Sequence, residues 1–239
     1  MQSLRCTSVG DTDSSETIRK ETFMPLDQGV IEQVLAYCER DLPADTKYQE
    51  KFNFINDEDL KRTIIEEFKA ARYIYKLQEA LHVQDLRLHA HSKFQVVQYA
   101  AIYEATIIHI LNEYFYAHPE VRRLYSRKRY VSAASWPNNL TVEADSEPVY
   151  LCHKKTDTLK EPEVKFSDKV DTCVKIGIIS EEIGEEIKDF YNYRNSVHLE
   201  SALRQNVKFD VDIARRAFWR IDGFVGEIKD FLSNNQIEY

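Results

Sequence analysis

Arg194 and His198 are the two residues of this 239-residue chain whose types and spacing point most directly to chemistry. They lie in the stretch Ser180 to Leu203, SEEIGEEIKDFYNYRNSVHLESAL, which reads as one amphipathic helix. Ser180 suits the N-cap, where a hydroxyl accepts from a free amide of the first turn. Glu181, Glu182 and Glu185 place negative charge at the positive end of the helix dipole. At about 100° per residue, Ile183, Ile187 and Phe190 form one stripe, and its next two positions are Arg194 and His198. Side chains at i and i+4 project from one face and can converge on one ligand. Arginine supplies a charged planar fork that matches phosphate, and histidine moves a proton near neutral pH. That is a minimal set for cleaving RNA without a metal ion. His198 would act as general acid or base on the ribose 2′-OH or the leaving oxygen. Arg194 would stabilise the charge that builds on the phosphate. Asn195, just off the stripe, is placed to orient a group or cap a neighbouring loop.

The structural alternative is equally concrete. An arginine on an apolar stripe is costly unless it is paired. A buried carboxylate such as Glu104, inside the apolar run AAIYEATIIHI, would serve as its partner, although Glu104 can equally pair with a tyrosine hydroxyl. On that account His198 is a core histidine with its hydrogen bonds satisfied. The two accounts share one contact, because a carboxylate that pairs with Arg194 also fixes its position for catalysis.

A second cluster is the run RRLYSRKR, with Arg122, Arg123, Arg127, Lys128 and Arg129. Such a run can hold a phosphate backbone, with Tyr125 and Tyr130 available for stacking, or it can be a solvated face of an acidic protein. His82, His89, His91 and the Cys152-His153 pair invite a metal reading. His89 and His91, two apart, point in different directions on a helix, and no H-E-x-x-H occurs, so no metal site and no cofactor is expected. There is also no phosphate-cradling glycine loop and no G-x-S-x-G.

Composition bounds the rest. With 43% hydrophobic and 30% charged residues the chain is of globular type, and six Gly and six Pro are too few for a turn-rich β fold. A formal net charge of −8 argues against a generic nucleic-acid coat while leaving room for a local basic patch. The four cysteines show no C-x-x-C pairing, and the opening MQSLRCTSVGDTDSSE has no apolar core of the signal-peptide kind. No apolar run approaches the roughly 20 residues of a membrane span. A cytoplasmic setting without membrane contact is the expectation.

The elements that must position Arg194 follow from periodicity. Residues 1–25 read as a flexible polar tail. A helix from Asp27 to Arg40 ends at Leu42-Pro43, and a linker leads to a second helix from Asn56 or Asp57 to Leu81. Together, residues 26–85 read as a helical segment packed on a core formed by 86–239. A third helix, Leu86 to Tyr116, carries Phe94, Val97, Ala101, Glu104, Ile108 and Leu111 along one line. It is apolar around most of its circumference, so it should be central. Residues 121–160 break the pattern and read as an irregular insertion. Within it, Leu140–Val142 and Val149–Cys152 can pair as a small hairpin across ADSEP, and the rest reads as loop. A short helix, Ser167 to Lys175, stops at Gly177, and a last helix is capped by Asp210 or Asp212. The expected fold is an all-α bundle with one irregular insertion.

Three of these blocks resemble HEPN domains. The helix FQVVQYAAIYEATIIHIL is similar to their first core helix, with the acid of its E-A pair at Glu104. The block KVDTCVKIGIISEEIGEEIKDFYNYRNSVHLE is similar to the helix pair that carries the HEPN motif, and the helix from Asp210 resembles the closing helix. The likeness spans residues 86–232. It implies a bundle that forms a homodimer through the motif helices. It further implies a composite, metal-independent endoribonuclease site built from Arg194 and His198 of both protomers, with Asn195 as the polar residue that follows the arginine. Members act as toxins or antiviral defence effectors, some with an antitoxin partner protein. The family usually sets about four to six residues between Arg and His, whereas Asn195, Ser196 and Val197 make three, and each residue removed turns the histidine by about 100°. Inactive members serve as binding or dimerisation modules for a partner protein or a nucleotide, which is the alternative function.

Overall fold

The structure is a computed structural model that describes residues 26–40, 42–132, 142–144, 147–149, 152–197 and 209–239. The tail expected over 1–25 lies outside the described residues. Eight α-helices and four strands are present among them: α1 Gln28–Glu39, α2 Asp45–Lys51, α3 Glu58–Ala80, α4 Asp85–Glu113, α5 Pro119–Leu124, β1 Ser126–Ser132, β2 Val142–Ala144, β3 Glu147–Val149, β4 Cys152–Thr158, α6 Phe166–Ile176, α7 Glu181–Asn195 and α8 Val211–Asn234. The chain is an all-α bundle with a small β insertion.

Helix ends follow local chemistry. The carboxylates of Asp27, Asp57 and Asp210 accept from first-turn amides of α1, α3 and α8, and the Ser180 hydroxyl does so for α7. Gly177 ends α6 at φ 87°, where the amides of Gly177 and Ile178 both close on the Cys173 carbonyl. A side chain is disfavoured in that left-handed conformation.

Helix α4 is the centre. It packs against α3, α6, α7 and α8. Tyr103 ties three helices together. Its ring stacks on Phe190 of α7 at 5.7 Å, meets Phe224 of α8 edge-on at 5.1 Å, and its hydroxyl donates to the Ala217 carbonyl at 2.7 Å. Phe68 of α3 packs on Tyr99 and Phe218, so α3 shares one continuous core with α4, α7 and α8.

Four expectations need correction. The linker after α1 contains α2, whose Tyr48 joins the core together with the following Phe52 and Phe54. Of the line Phe94, Val97, Ala101, Glu104, Ile108 and Leu111 only Leu111 is buried, with Phe94 exposed and the others part-buried, while Val96, Tyr99, Ala100, Tyr103 and Ile107 on the adjoining side are buried. A helix apolar all round gives periodicity nothing with which to orient it. The insertion is more regular than a loop. Residues 119–124 form α5, and β1 pairs antiparallel with β4 from Ser126↔Thr158 to Ser132↔Cys152. The expected hairpin survives as β2 paired with β3 from Val142↔Val149 to Ala144↔Glu147, and Cys152 belongs to the outer pair. Both faces of that pair are solvated, so its sequence shows no apolar alternation. The fourth correction concerns α7, described next.

Candidate functional site

Helix α7 ends at Asn195, earlier than the single helix to Leu203 that periodicity suggests. The Ser196 hydroxyl donates to the Asn192 carbonyl at 2.8 Å, and the Val197 amide closes on Arg194 rather than on Tyr193. This is three-residue spacing at Val197, in place of the four-residue spacing of the helix. The Lys93 ammonium donates to the Val197 carbonyl at 3.1 Å and lies 5.5 Å from the Phe209 ring centroid. Tyr193 and His89 meet that ring edge-on. Lys93 of α4 therefore anchors both flanks of the segment between α7 and α8. His198 lies in that segment, outside the described residues.

Arg194 occupies the last turn of α7. Its Nη1 meets Glu104 Oε2 of α4 at 2.9 Å. Its guanidinium carbon lies 5.4 Å from the centroid of Tyr191, whose ring packs on Phe166 of α6 at 4.3 Å. The Arg194 side chain is 34% exposed and that of Glu104 23%, so the pair sits at the edge of the core, partly open to solvent. Buried Ile183, Ile187 and Phe190 on the same helix hold this end in place. A guanidinium fixed by a carboxylate and an aromatic face is pre-oriented to receive an anion such as a phosphate. Asn195 is exposed at the helix end.

The basic run is not one patch. Arg122 and Arg123 lie on α5, where Arg123 pairs with Glu120 at 3.1 Å. Arg127, Lys128 and Arg129 lie on β1, and Arg129 pairs with Asp157. Tyr125 is half-buried and its hydroxyl donates to Asn112 at 3.2 Å, so it is a wall rather than a stacking ring; burial pushes its hydroxyl up from its ordinary value. Tyr130 is exposed. Lys93, the anchor of the post-α7 segment, leaves no mark in the sequence, because an isolated lysine carries no pattern.

Among the described residues no group of three or more His, Cys, Asp or Glu is placed to hold a metal ion, and no helix is long and apolar enough to cross a membrane. Cys38 and Cys173 are buried thiols, and Cys152 is exposed. Burial pushes the Cys173 thiol far above its ordinary range. Fold and site together define a helical bundle with a β-ribbon insertion and an arginine–carboxylate pair at the end of a central helix contact. No protein-family model, curated protein or solved structure matches the chain.

Proposed function

We propose that this protein is a metal-independent endoribonuclease of the HEPN type, acting in the cytoplasm as a toxin or antiviral defence effector and working as a homodimer through its motif helices. The observation that carries this reading is Arg194, held by Glu104 at 2.9 Å and by the Tyr191 ring while a third of its side chain stays exposed. In the reaction His198 takes the proton of the ribose 2′-OH, and the 2′ oxygen attacks the adjacent phosphorus. The bond from phosphorus to the 5′ oxygen breaks, and that oxygen receives a proton from the second histidine of the dimer or from water. Arg194 stabilises the added charge on the phosphoryl oxygens.

The product ends test the chemistry. Attack by the 2′-OH leaves a 2′,3′-cyclic phosphate and a 5′-hydroxyl, detectable by mass spectrometry of a cleaved oligonucleotide. A 5′-phosphate and a 3′-hydroxyl instead would contradict the proposed route. A second reading, a non-catalytic module binding a partner protein such as an antitoxin, or a nucleotide, draws on the end of α7 at Asn195, because the i, i+4 relation between Arg194 and His198 assumes a continuing helix.

A further inference from the structure

Strands β1 and β4 carry Arg127, Lys128, Arg129, Lys154 and Lys155 against one acid, Asp157, in a chain of formal net charge −8. Nearly every residue of the two strands is exposed. Side chains of directly opposed residues share a face, so the register divides the ribbon into two unlike sides. One side holds Arg127, Arg129, Lys155 and Asp157. There Asp157 pairs with Arg129 and, at 3.6 Å, with Lys155, and is itself opposite Arg127. The other side holds Lys128 opposite Thr156 and Tyr130 opposite Lys154. It has no acid. Lys128 and Lys154 have no carboxylate partner among the described residues, and Tyr130, two residues from Lys128 and directly opposite Lys154, is 75% exposed.

That second side does not end at the ribbon. Its root pair, Ser126 and Thr158, lines a cavity of about 540 Å³ that also carries Arg122 and Tyr116, whose ring is 71% exposed. The one acid on the cavity wall, Glu161, is taken by Lys169. The second side of the ribbon and the cavity at its root, which Tyr125 and Leu159 also line, together present Tyr116, Arg122, Lys128, Tyr130 and Lys154 as one candidate track. Two exposed tyrosines lie among three cations: Tyr116 with Arg122 at the cavity, and Tyr130 with Lys128 two residues along β1 and Lys154 directly opposite on β4. Like charge concentrated on one ribbon of an acidic protein favours a polyanion, and exposed rings among the cations favour one whose bases are unpaired and free to stack. A duplex would meet the cations but leave the rings unused.

We infer that this track binds single-stranded nucleic acid, with bases stacked on Tyr130 and Tyr116 and phosphates held by Lys128, Lys154 and Arg122. It rests on the ribonuclease reading only for the choice of RNA over DNA, since the stacking and charge chemistry is common to both. Of the basic residues singled out from sequence, Arg122 and Lys128 belong to the track, whereas Arg127 and Arg129 face Asp157.

Fluorescence anisotropy on the full chain tests this, with single-stranded oligouridylate and oligothymidylate of about 12 nucleotides and an RNA duplex of the same length. The RNA arms use an Arg194→Ala background so that cleavage does not consume the probe. Both single strands should bind more tightly than the duplex, and a preference between them identifies RNA or DNA as the ligand. Tyr130→Ala should weaken single-strand binding by about fivefold to 150-fold, while Tyr130→Phe retains it. Lys128→Ala with Lys154→Ala should reduce the slope of log affinity against log salt by about 1.4. Because these side chains are exposed, the melting temperature should not move. Binding that ignores all three substitutions, or a duplex bound as tightly as either single strand, overturns the inference. Single-strand binding lost in Tyr130→Ala while cleavage in the wild type fails would sink the ribonuclease reading and leave this one standing.

Discussion

Arg194 and Glu104 join α7 to α4 through a 2.9 Å ion pair that is neither buried nor free in solvent. A fully buried pair would cost several kcal/mol to break, but solvent screens this one. Arg194→Ala should therefore destabilise the fold by only about 1 kcal/mol, or about 2–4 °C in melting temperature for a chain of this size, while abolishing RNA cleavage. Differential scanning fluorimetry beside a cleavage assay checks both. A drop of more than ten degrees or so would make Arg194 a structural residue first.

Gly184 of α7 sits tightly against α6. A Cβ built there lies 2.7 Å from Val174 Cγ2 and 3.5 Å from Val170 Cγ1, both on stiff β-branched side chains. Alanine gains about 1 kcal/mol of helix propensity at an interior site, and overpacking costs about 1–3 kcal/mol. Gly184→Ala should thus lower the melting temperature. A rise would mean that α6 shifts away without penalty.

His109 is buried on α4 with Nε2 unpartnered, and burial pushes its pKa below the ordinary value, against the opposing pull of Glu113 and Asp57. The unfolded chain then takes up a proton at higher pH than the folded one. Its contribution to stability is complete above about pH 6.5 and is lost as pH falls below that value. Melting curves from about pH 7.5 to pH 5.5 should show a steeper acid loss in the wild type than in His109→Gln. Equal slopes would rule out this histidine as the source.

Tyr103→Phe removes the hydroxyl that donates to the Ala217 carbonyl and keeps the ring contacts with Phe190 and Phe224. The expected cost is about 1–2 kcal/mol, read by chemical denaturation at an unchanged m-value. A changed m-value would instead mean that the packing of α4 on α8 had loosened.

Elements with one buried face were legible from sequence. The final helix shows this best: of the stripe Ala214, Ala217, Phe218, Ile221, Phe224, Val225, Ile228 and Phe231 that helical spacing picks out, all are buried except Phe218 and Phe231, which are partly buried against the same core. The cap at Ser180 and the stop at Gly177 were legible, and the caps of α3 and α8 were narrowed to Asn56 or Asp57 and to Asp210 or Asp212, because each is a local chemical event; the structure selects Asp57 and Asp210. The orientation of α4 was not, since nearly every face carries apolar residues and packing partners decide which face is innermost. The β1–β4 ribbon was not, because a strand solvated on both sides leaves no hydrophobic alternation. The end of α7 depends on the Ser196 hydroxyl and on Lys93, more than 100 residues away in sequence, reaching the Val197 carbonyl. The division of the basic run into two sides required the register with β4.

The most direct test of the account is RNA cleavage in excess EDTA by the wild type and by His198→Ala, using single-stranded and structured substrates together. Cleavage by the wild type should survive EDTA and vanish in His198→Ala. Cleavage that EDTA stops, or that persists unchanged in His198→Ala, would contradict it.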